Sequence, residues 1–310
     1  MNTQSNAVYG SIDMEKESAA VVPASQLFYW SVRRELYEHR SIYLAPLAVA
    51  AVYVIGFLIR LVRLPSHMRA VFALDPMNQA MQIQQPYMFV AGLMMGTAML
   101  TGAFYCLEAL HGERRDRSIL FWKSLPVSDL ITVLSKASIP IVVLQLIAFG
   151  VAFAVQWIML LLSSAVVAGS GMNVTALWSQ VSFVQMSALL FYHLLIVHGL
   201  WHAPFYGWML MVSSWARRAP FLWAVLPPLA IGFAEKIAFN TSYFGHMLLF
   251  HLAGGPWAPM AGKSDGSMVG MLGHFEPLKL LSTPELWTGL LFAAICLALA
   301  VRLRRGRGPI

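Results

Sequence analysis

Long uncharged stretches divide the chain into segments that are long enough to cross a membrane. Residues 41–59 carry no charge between Arg40 and Arg60, and as a helix they extend about 28 Å, close to the thickness of the hydrocarbon layer. Residues 137–216 contain no Asp, Glu, Lys or Arg, which is enough for two spans joined by a small polar turn. The pattern predicts six spans, at residues 41–59, 87–107, 138–162, 183–212, 221–239 and 286–301.

The fifth predicted span must include two charged residues. Its uncharged part, residues 221–234, would extend only about 21 Å as a helix, so Glu235 and Lys236 belong to the span. Each charge costs about 2.5 to 3.5 kcal/mol at the centre of a bilayer. Neighbouring helical residues point about 100° apart, so we expect one of the two to face a dimer interface or a conduit. Snorkelling of both to the headgroups is the alternative, and Pro227 and Pro228 are expected to kink the helix.

Composition and charge agree with an integral membrane protein. Hydrophobic residues make up 58% of the chain and charged residues 11%, against roughly 25% charged in a soluble domain. The net charge is +7, but the basic residues lie in short loops, which argues against a nucleic-acid partner. Cys106 and Cys296 fall in apolar runs and indicate small core residues. Residues 1–23 are polar without an apolar signal-peptide core and predict a flexible N-terminus.

Lys and Arg residues are unevenly distributed between the two sides of a six-span bundle. The N-terminal segment, the loops at residues 108–136 and 213–219, and the C-terminal tail hold 15 of them, and the other side holds six. Short loops rich in Lys and Arg stay in the cytoplasm. Both termini are therefore predicted to be cytoplasmic, and Lys263 is predicted to face outward.

Residues 24–40 predict an interfacial helix before the first span. One side of this helix is apolar and the other is charged, as in helices that lie along a membrane surface. The apolar side comprises Phe28, Tyr29, Val32 and Leu36, and the charged side comprises Arg34 and Glu38. A fraying extension of the first span is the alternative.

A charged loop at residues 113–129, between the second and third spans, contains a compact apolar block. Such a block needs a partner in water, and the flanking charges keep it out of lipid, so we expect a docking surface on a short helix. Asp116 is predicted to cap the first turn of that helix, and Pro126 to stop it after about two turns. The predicted docking surface consists of Glu113, Arg114, Asp116, Arg117, Ile119, Leu120, Phe121, Trp122, Leu125 and Pro126.

This loop resembles the coupling loop in permease subunits of type-2 ABC transporters, whose pattern is E-R-x-x-G-T, a hydrophobic run, and L-P-V-S. The matching residues are Glu113, Arg114, Asp116, Leu120, Leu125, Pro126, Val127 and Ser128. Arg117 and Ser118 replace the usual Gly-Thr, so we expect the turn into the helix to be tighter or differently capped. The resemblance covers the whole plan of the chain.

The resemblance implies an all-α integral membrane protein with a six-span domain at residues 41–307. It implies that residues 24–40 form an elbow helix on the inner membrane surface. Residues 113–129 would form a cytoplasmic coupling loop, and residues 240–284 would contribute short extracytoplasmic helices between the fifth and sixth spans. The expected location is a bacterial cytoplasmic (inner) membrane.

The resemblance also implies partners. The chain would be a transport subunit and not an enzyme, because two separate ABC ATPase subunits would bind ATP and Mg. A second permease copy would complete a homodimer through the first and fifth spans, surrounded by membrane lipids, and the expected direction is export. Gly262, Lys263 and Ser264 imitate a phosphate-binding loop, but Trp257 occupies the position of the required earlier glycine, so no ATP site is expected in this chain.

Histidines and acids in the spans leave two other function classes open. His193, His198 and His202 share the fourth span, and the last pair has the i,i+4 spacing of a metal site. No Cys or carboxylate accompanies them, so polar groups that face the bundle or a wet cavity are the favoured interpretation. An intramembrane enzyme would use these histidines, whereas an ion-coupled secondary transporter would use Glu108 and Glu235.

Overall fold

The computed structural model describes residues 22–255 and 280–310, and all regular elements in these ranges are helical. Six helices are long and apolar enough to cross a membrane. The prediction of an all-α, multi-pass membrane protein is confirmed at this level. Predictions for residues 1–21, for Lys263 and for the rest of residues 256–279 lie outside the described ranges.

Within each of the two described ranges, the helices follow one another with short connections. In chain order they are α1 (Ala24–Glu38), α2 (Ser41–Leu61), α3 (Leu64–Val71), α4 (Pro76–Ala109), α5 (His111–Arg115), α6 (Ile119–Ser124), α7 (Asp129–Ser138), α8 (Leu144–Gly169), α9 (Val174–Gln180), α10 (Phe183–Tyr192), α11 (Gly199–Trp201), α12 (Ala203–Trp215), α13 (Pro220–Phe239), α14 (Tyr243–Leu252) and α15 (Pro284–Gly306). Two π-helical segments, Ile139–Val143 and His193–His198, continue α7 into α8 and α10 into α11.

Side-chain caps explain why two helices begin well before the predicted membrane spans. The Asp75 carboxylate accepts from the Asn78 backbone N–H at 3.2 Å and begins α4, whereas the uncharged membrane part was predicted at residues 87–107. Ser128 Oγ accepts from the Ile131 N–H at 3.2 Å and begins α7. Oxygen-bearing side chains at these positions satisfy backbone donors that have no partner within the helix. The polar first turns of α4 and α7 are therefore continuous with the apolar spans that follow them.

The fourth crossing is broken, and this corrects the prediction of one span at residues 183–212. The helix ends at Trp201, and α12 starts after His202 with Pro204 in its first turn. Proline lacks the N–H that would continue the hydrogen-bond ladder from the preceding turn. Upstream of the break, a Cβ on Gly199 would lie 2.6 Å from the Ile141 carbonyl oxygen, so only glycine permits the start of α11 to pack this closely on the π-helical segment Ile139–Val143.

The core is formed by α2, α4 and α8, which pack on one another, and by α12, which packs on α4 and α15. Fully inaccessible apolar side chains fill these contacts, among them Met94, Leu144 and Leu210. The helix α13 lies at the edge, and Ala224 is its only buried residue. A helix with this apolar composition and so little internal packing must cover its surface with lipid or with another protein.

Candidate functional site at one end of the bundle

Four chain segments meet at one end of the bundle: α1, the segment from α5 to α7, the last turn of α12, and the C-terminal tail. The Ile310 backbone N–H donates to the Arg114 carbonyl at 3.2 Å. The Arg114 guanidinium donates to the Ser214 carbonyl at 2.9 Å, and that of Arg307 donates to the Trp215 carbonyl at 2.7 Å. These are the segments that hold the larger share of Lys and Arg, so the charge bias read from sequence corresponds to one end of the molecule.

Six charged side chains form a network at this end. Lys136 Nζ lies 2.8 Å from Glu35 Oε1 and 3.1 Å from Glu113 Oε1. Arg304 lies 2.9 Å from Glu113 Oε2 and 3.0 Å from Asp129 Oδ1. The ion-pair network comprises Arg34, Lys136, Arg304, Glu35, Glu113 and Asp129. Its three cations balance its three carboxylates.

The centre of the ion-pair network is buried. Glu35 and Lys136 are inaccessible to solvent, and the Tyr105 hydroxyl donates to Glu35 Oε2 at 2.8 Å. Burial by itself raises the pKa of the Glu35 carboxyl, but the charges of Lys136 and Arg34 together lower it to about 2. Glu35 is therefore ionised at neutral pH, as a paired buried carboxylate must be to hold its partners.

Helical spacing brings these charges together. Ser31 and Glu35 are one turn apart on the buried face of α1, so Glu35 points at the bundle. The Ser128 cap starts α7, which places Lys136 two turns later on its buried face. Arg304 lies in the last turn of α15, where a cation also interacts favourably with the helix dipole.

The predicted docking residues divide into an inner and an outer set. Glu113, Arg114 and Ile119 are buried, whereas Leu120 and Phe121 are 60% and 59% exposed. The outer residues also include Asp116, Arg117, Leu125 and Pro126. The short helix α6 is therefore anchored on one face and presents an apolar pair on the other.

Trp122 is held between the two sets. The Arg34 guanidinium lies 3.9 Å from the centre of its ring, within cation–π distance. The ring also packs edge-on against Phe121, with 4.8 Å between the ring centres. Trp122 thus connects the exposed face of α6 to α1 and to the ion-pair network.

The cap predicted at Asp116 is wrong. Asp116 Oδ1 accepts from Arg115 Nε at 3.0 Å, and α6 begins after Ser118 without a side-chain cap. The chain instead turns at Arg117, whose φ of 60° lies in the left-handed region that glycine favours. This is the position at which the family pattern carries glycine. The helix ends at Ser124, and Leu125 is extended before Pro126, as the residue before a proline prefers.

Glu235, predicted to face a conduit or a dimer interface, caps the next helix. Its carboxylate accepts from the Tyr243 and Phe244 backbone N–H groups at 2.6 and 2.9 Å, and from Thr241 Oγ1 at 2.8 Å. These bonds satisfy the free donors at the start of α14. Lys236, the next residue of α13, is exposed.

The intramembrane histidines bond mainly to backbone carbonyls. His193 Nδ1 lies 3.1 Å from the Leu189 oxygen, and His202 lies 3.0 and 3.2 Å from the His198 and Leu252 oxygens. His202 therefore ties the break in the fourth crossing to α14. Within residues 22–255 and 280–310, the one group of three His, Cys, Asp or Glu side chains with ligand atoms within 4.8 Å of one another is Glu35, Glu38 and His39, so the three intramembrane histidines do not converge.

Sequence reasoning missed Glu35, Lys136 and Arg304 as parts of the site. A signal for Glu35 exists, because it falls one turn after Ser31 and beside the apolar positions Val32 and Leu36 of the predicted interfacial helix. Lys136 is the last charge before the 137–216 run, so it lies where a span enters the membrane. No sequence signal pairs the two residues with each other.

No family model, curated protein or solved structure matches this chain. Its function must therefore be inferred from its own residues.

Proposed function

We propose that this chain is the membrane-spanning permease subunit of an ATP-driven exporter of the type-2 ABC class, docked through α6 on a separate ATPase. The observation that carries the proposal is the arrangement of α6. It exposes Leu120 and Phe121 in an otherwise charged loop, while Glu113 at its base is fixed by ion pairs. A partner that transmits movement needs apolar side chains that it can bury and a rigid attachment between them and the rest of the bundle, and this arrangement offers both.

The ion-pair network gives a route by which movement at α6 reaches the spans. Glu113 lies 3.3 Å from Arg34 of α1, 3.1 Å from Lys136 of α7 and 2.9 Å from Arg304 of α15. The helix α7 runs into the third span, and α15 is the sixth. A push on α6 is therefore applied to the interfacial helix and two spans together, since buried ion pairs resist separation.

In this proposal α1 is the elbow helix and the end with the ion-pair network faces the cytoplasm of a bacterial inner membrane. The larger number of Lys and Arg residues at that end supports the orientation. ATP and Mg would be bound by two ATPase subunits, and the chain itself would supply the path for the exported cargo.

A second copy of the chain is the proposed partner within the membrane. The first and fifth spans are the least buried of the six candidate spans, and α13 exposes large apolar side chains along its length. They include Phe221, Leu226, Phe233 and Ile237. In a homodimer of the kind that the resemblance implies, the exposed faces of two copies would lie against each other and enclose a path between the protomers.

The proposal is tested by removing the apolar pair of α6. Leu120→Ala with Phe121→Ala leaves the ion-pair network intact, and each large side chain buried in a partner contributes about 2 kcal/mol or more. We expect the ATPase that copurifies with the tagged chain from native membranes to be lost, with affinity reduced on the order of a hundredfold or more.

The matched control is Leu100→Ala with Phe104→Ala, the same residue types on α4 with exposures of 62% and 65%. We expect this variant to keep its ATPase. Full retention of the ATPase by the α6 variant, with unchanged cargo-stimulated hydrolysis, would refute the docking role.

A further inference from the structure

A cavity of about 490 Å³ lies at the end of the bundle opposite the ion-pair network, between the end of α2 and the helices α3, α4, α8 and α9. The helix α2 begins beside the ion-pair network and has 21 residues, or about 31 Å of rise. That distance matches the hydrocarbon thickness, so the mouth of the cavity lies at the level of the lipid headgroups.

The floor of the cavity is mainly apolar. Ile83, Tyr87, Met68 and Leu177 line it, each at most 6% exposed, together with one buried polar residue, Ser163, at 4%. Phe57, which is 7% exposed, contributes from α2. An apolar floor of this kind accommodates hydrocarbon and cannot hold a small hydrated ion by itself.

The mouth of the cavity is basic. Arg60 and Arg63 line it about one turn apart, together with His67, and the two guanidinium groups are charged at every physiological pH. Within the part of the chain that the structure describes, neither arginine forms an ion pair, whereas Arg304 at the other end forms two. Unpaired guanidinium groups above an apolar floor call for an anionic group attached to an apolar chain.

We propose that this cavity binds one anionic phospholipid of the membrane per chain, with its phosphate on Arg60 and Arg63 and the start of its acyl chains against Phe57 and Ile83. The guanidinium fork matches phosphate oxygens in pairs, which a zwitterionic headgroup offers less well because its own cation competes. The inference stands apart from the proposed transport function, since it rests on residues at the other end of the bundle.

The test is native mass spectrometry of the full chain from nanodiscs or mild detergent, with phosphatidylglycerol titrated against phosphatidylcholine of the same acyl chains. We expect one tightly held phosphatidylglycerol per chain. Each basic residue at a membrane surface strengthens binding of anionic lipid severalfold, so Arg60→Gln with Arg63→Gln should weaken it on the order of thirtyfold. Ser66→Asp, at an exposed position of the same mouth, should weaken it as well and leaves both arginines in place.

The matched control is Arg69→Gln, an exposed arginine on α3 that does not line the cavity. It should change phosphatidylglycerol binding less than about twofold, because an exposed charge that does not contact the phosphate is screened by salt. Equal binding of the two lipids, or an equal loss in the Arg69→Gln control, would overturn the site. Inorganic phosphate that competes as well as the lipid would show a free-anion site and overturn the lipid assignment.

Discussion

The two ends of the bundle both carry clusters of basic side chains, but they use them differently. At the network end, Lys136 and Arg304 are 1% and 4% exposed and each touches two carboxylates. At the cavity end, Arg60 and Arg63 are exposed and form no ion pair with any residue the structure describes. The number of Lys and Arg residues alone distinguishes only the two ends of the bundle. Whether a basic side chain forms an ion pair with a carboxylate distinguishes charges that hold helices together from charges that are open to a ligand.

The difference follows from the energy of burying a charge. A charge removed from water is tolerated only when an opposite charge and further hydrogen bonds replace the water. At the network end, segments distant in sequence must meet for this to happen, so the ion pairs specify one arrangement of α1, α5, α7 and α15. The arginines at the cavity end stay hydrated and impose no such requirement, which leaves that end free to adapt to a lipid.

The largest expected effect is the loss of Lys136. Lys136→Met leaves Glu35 and Glu113 buried without the ammonium group that lies 2.8 and 3.1 Å from them. Removal of one partner from a buried ion pair typically costs about 3 to 5 kcal/mol. We expect a fall of this size in the free energy of unfolding, measured by thermal unfolding in phosphatidylcholine nanodiscs.

The control for that measurement is Lys123→Met in the same region. Lys123 is exposed, and its Nζ donates to the Arg305 and Arg307 carbonyls, at 3.3 and 3.0 Å, with no carboxylate partner among the described residues. We expect this variant to lose less than about 1 kcal/mol, and Lys136→Arg to recover part of the stability lost in Lys136→Met. Equal losses at the two lysines would remove the distinction between buried and exposed charge at this end.

A second, comparable effect is the loss of stability in acid. The pKa of Glu35 is about 2 in the folded chain, below the roughly 4.3 of a free carboxyl. Its contribution is therefore complete above pH of about 4.3 and is lost as the pH falls toward 2. The shift corresponds to a contribution on the order of 3 kcal/mol. We expect the stability difference between wild type and Glu35→Gln to narrow over this range in thermal unfolding at a series of pH values.

Glu38, on the same helix, provides the opposite case. Burial raises the pKa of Glu38 despite the nearby Arg34, so its charge opposes folding near and above its pKa. Relative to Glu38→Gln, the wild type should gain stability as the pH falls. If the stability of the wild type relative to Glu38→Gln instead fell with falling pH, as it should relative to Glu35→Gln, general acid unfolding and not the ion-pair network would set the pH dependence.

The number of spans could be predicted from sequence because charge-free runs reflect a local requirement of the lipid. The first and fifth crossings, Ser41–Leu61 and Pro220–Phe239, lie close to the predicted ranges for this reason. The apolar block in the charged loop likewise indicated a short helix, which the structure has at Ile119–Ser124.

Long-range pairing could not be predicted in the same way. Glu35 and Lys136 are separated by 101 positions, and many charged residues offer the same chemistry. The break at His202 has a local signal in Pro204, but the contact of His202 with the Leu252 carbonyl joins residues 50 positions apart. The turn at Arg117 uses a backbone conformation that arginine rarely adopts. Within the predicted docking set, only the contacts show that Glu113 and Arg114 face inward while Leu120 and Phe121 face out.

The smallest expected effect on stability completes the comparison of the two ends. Arg60→Gln with Arg63→Gln removes two charges, but both are exposed and unpaired within the described chain, so the free energy of unfolding in phosphatidylcholine nanodiscs should change by less than about 0.5 kcal/mol. A loss above about 1 kcal/mol would make these arginines structural, like Lys136. In nanodiscs that contain phosphatidylglycerol, the wild type should gain stability as the lipid concentration rises, because a ligand that binds only the folded chain stabilises it. The double variant should gain much less, so its curve separates from that of the wild type only when anionic lipid is present.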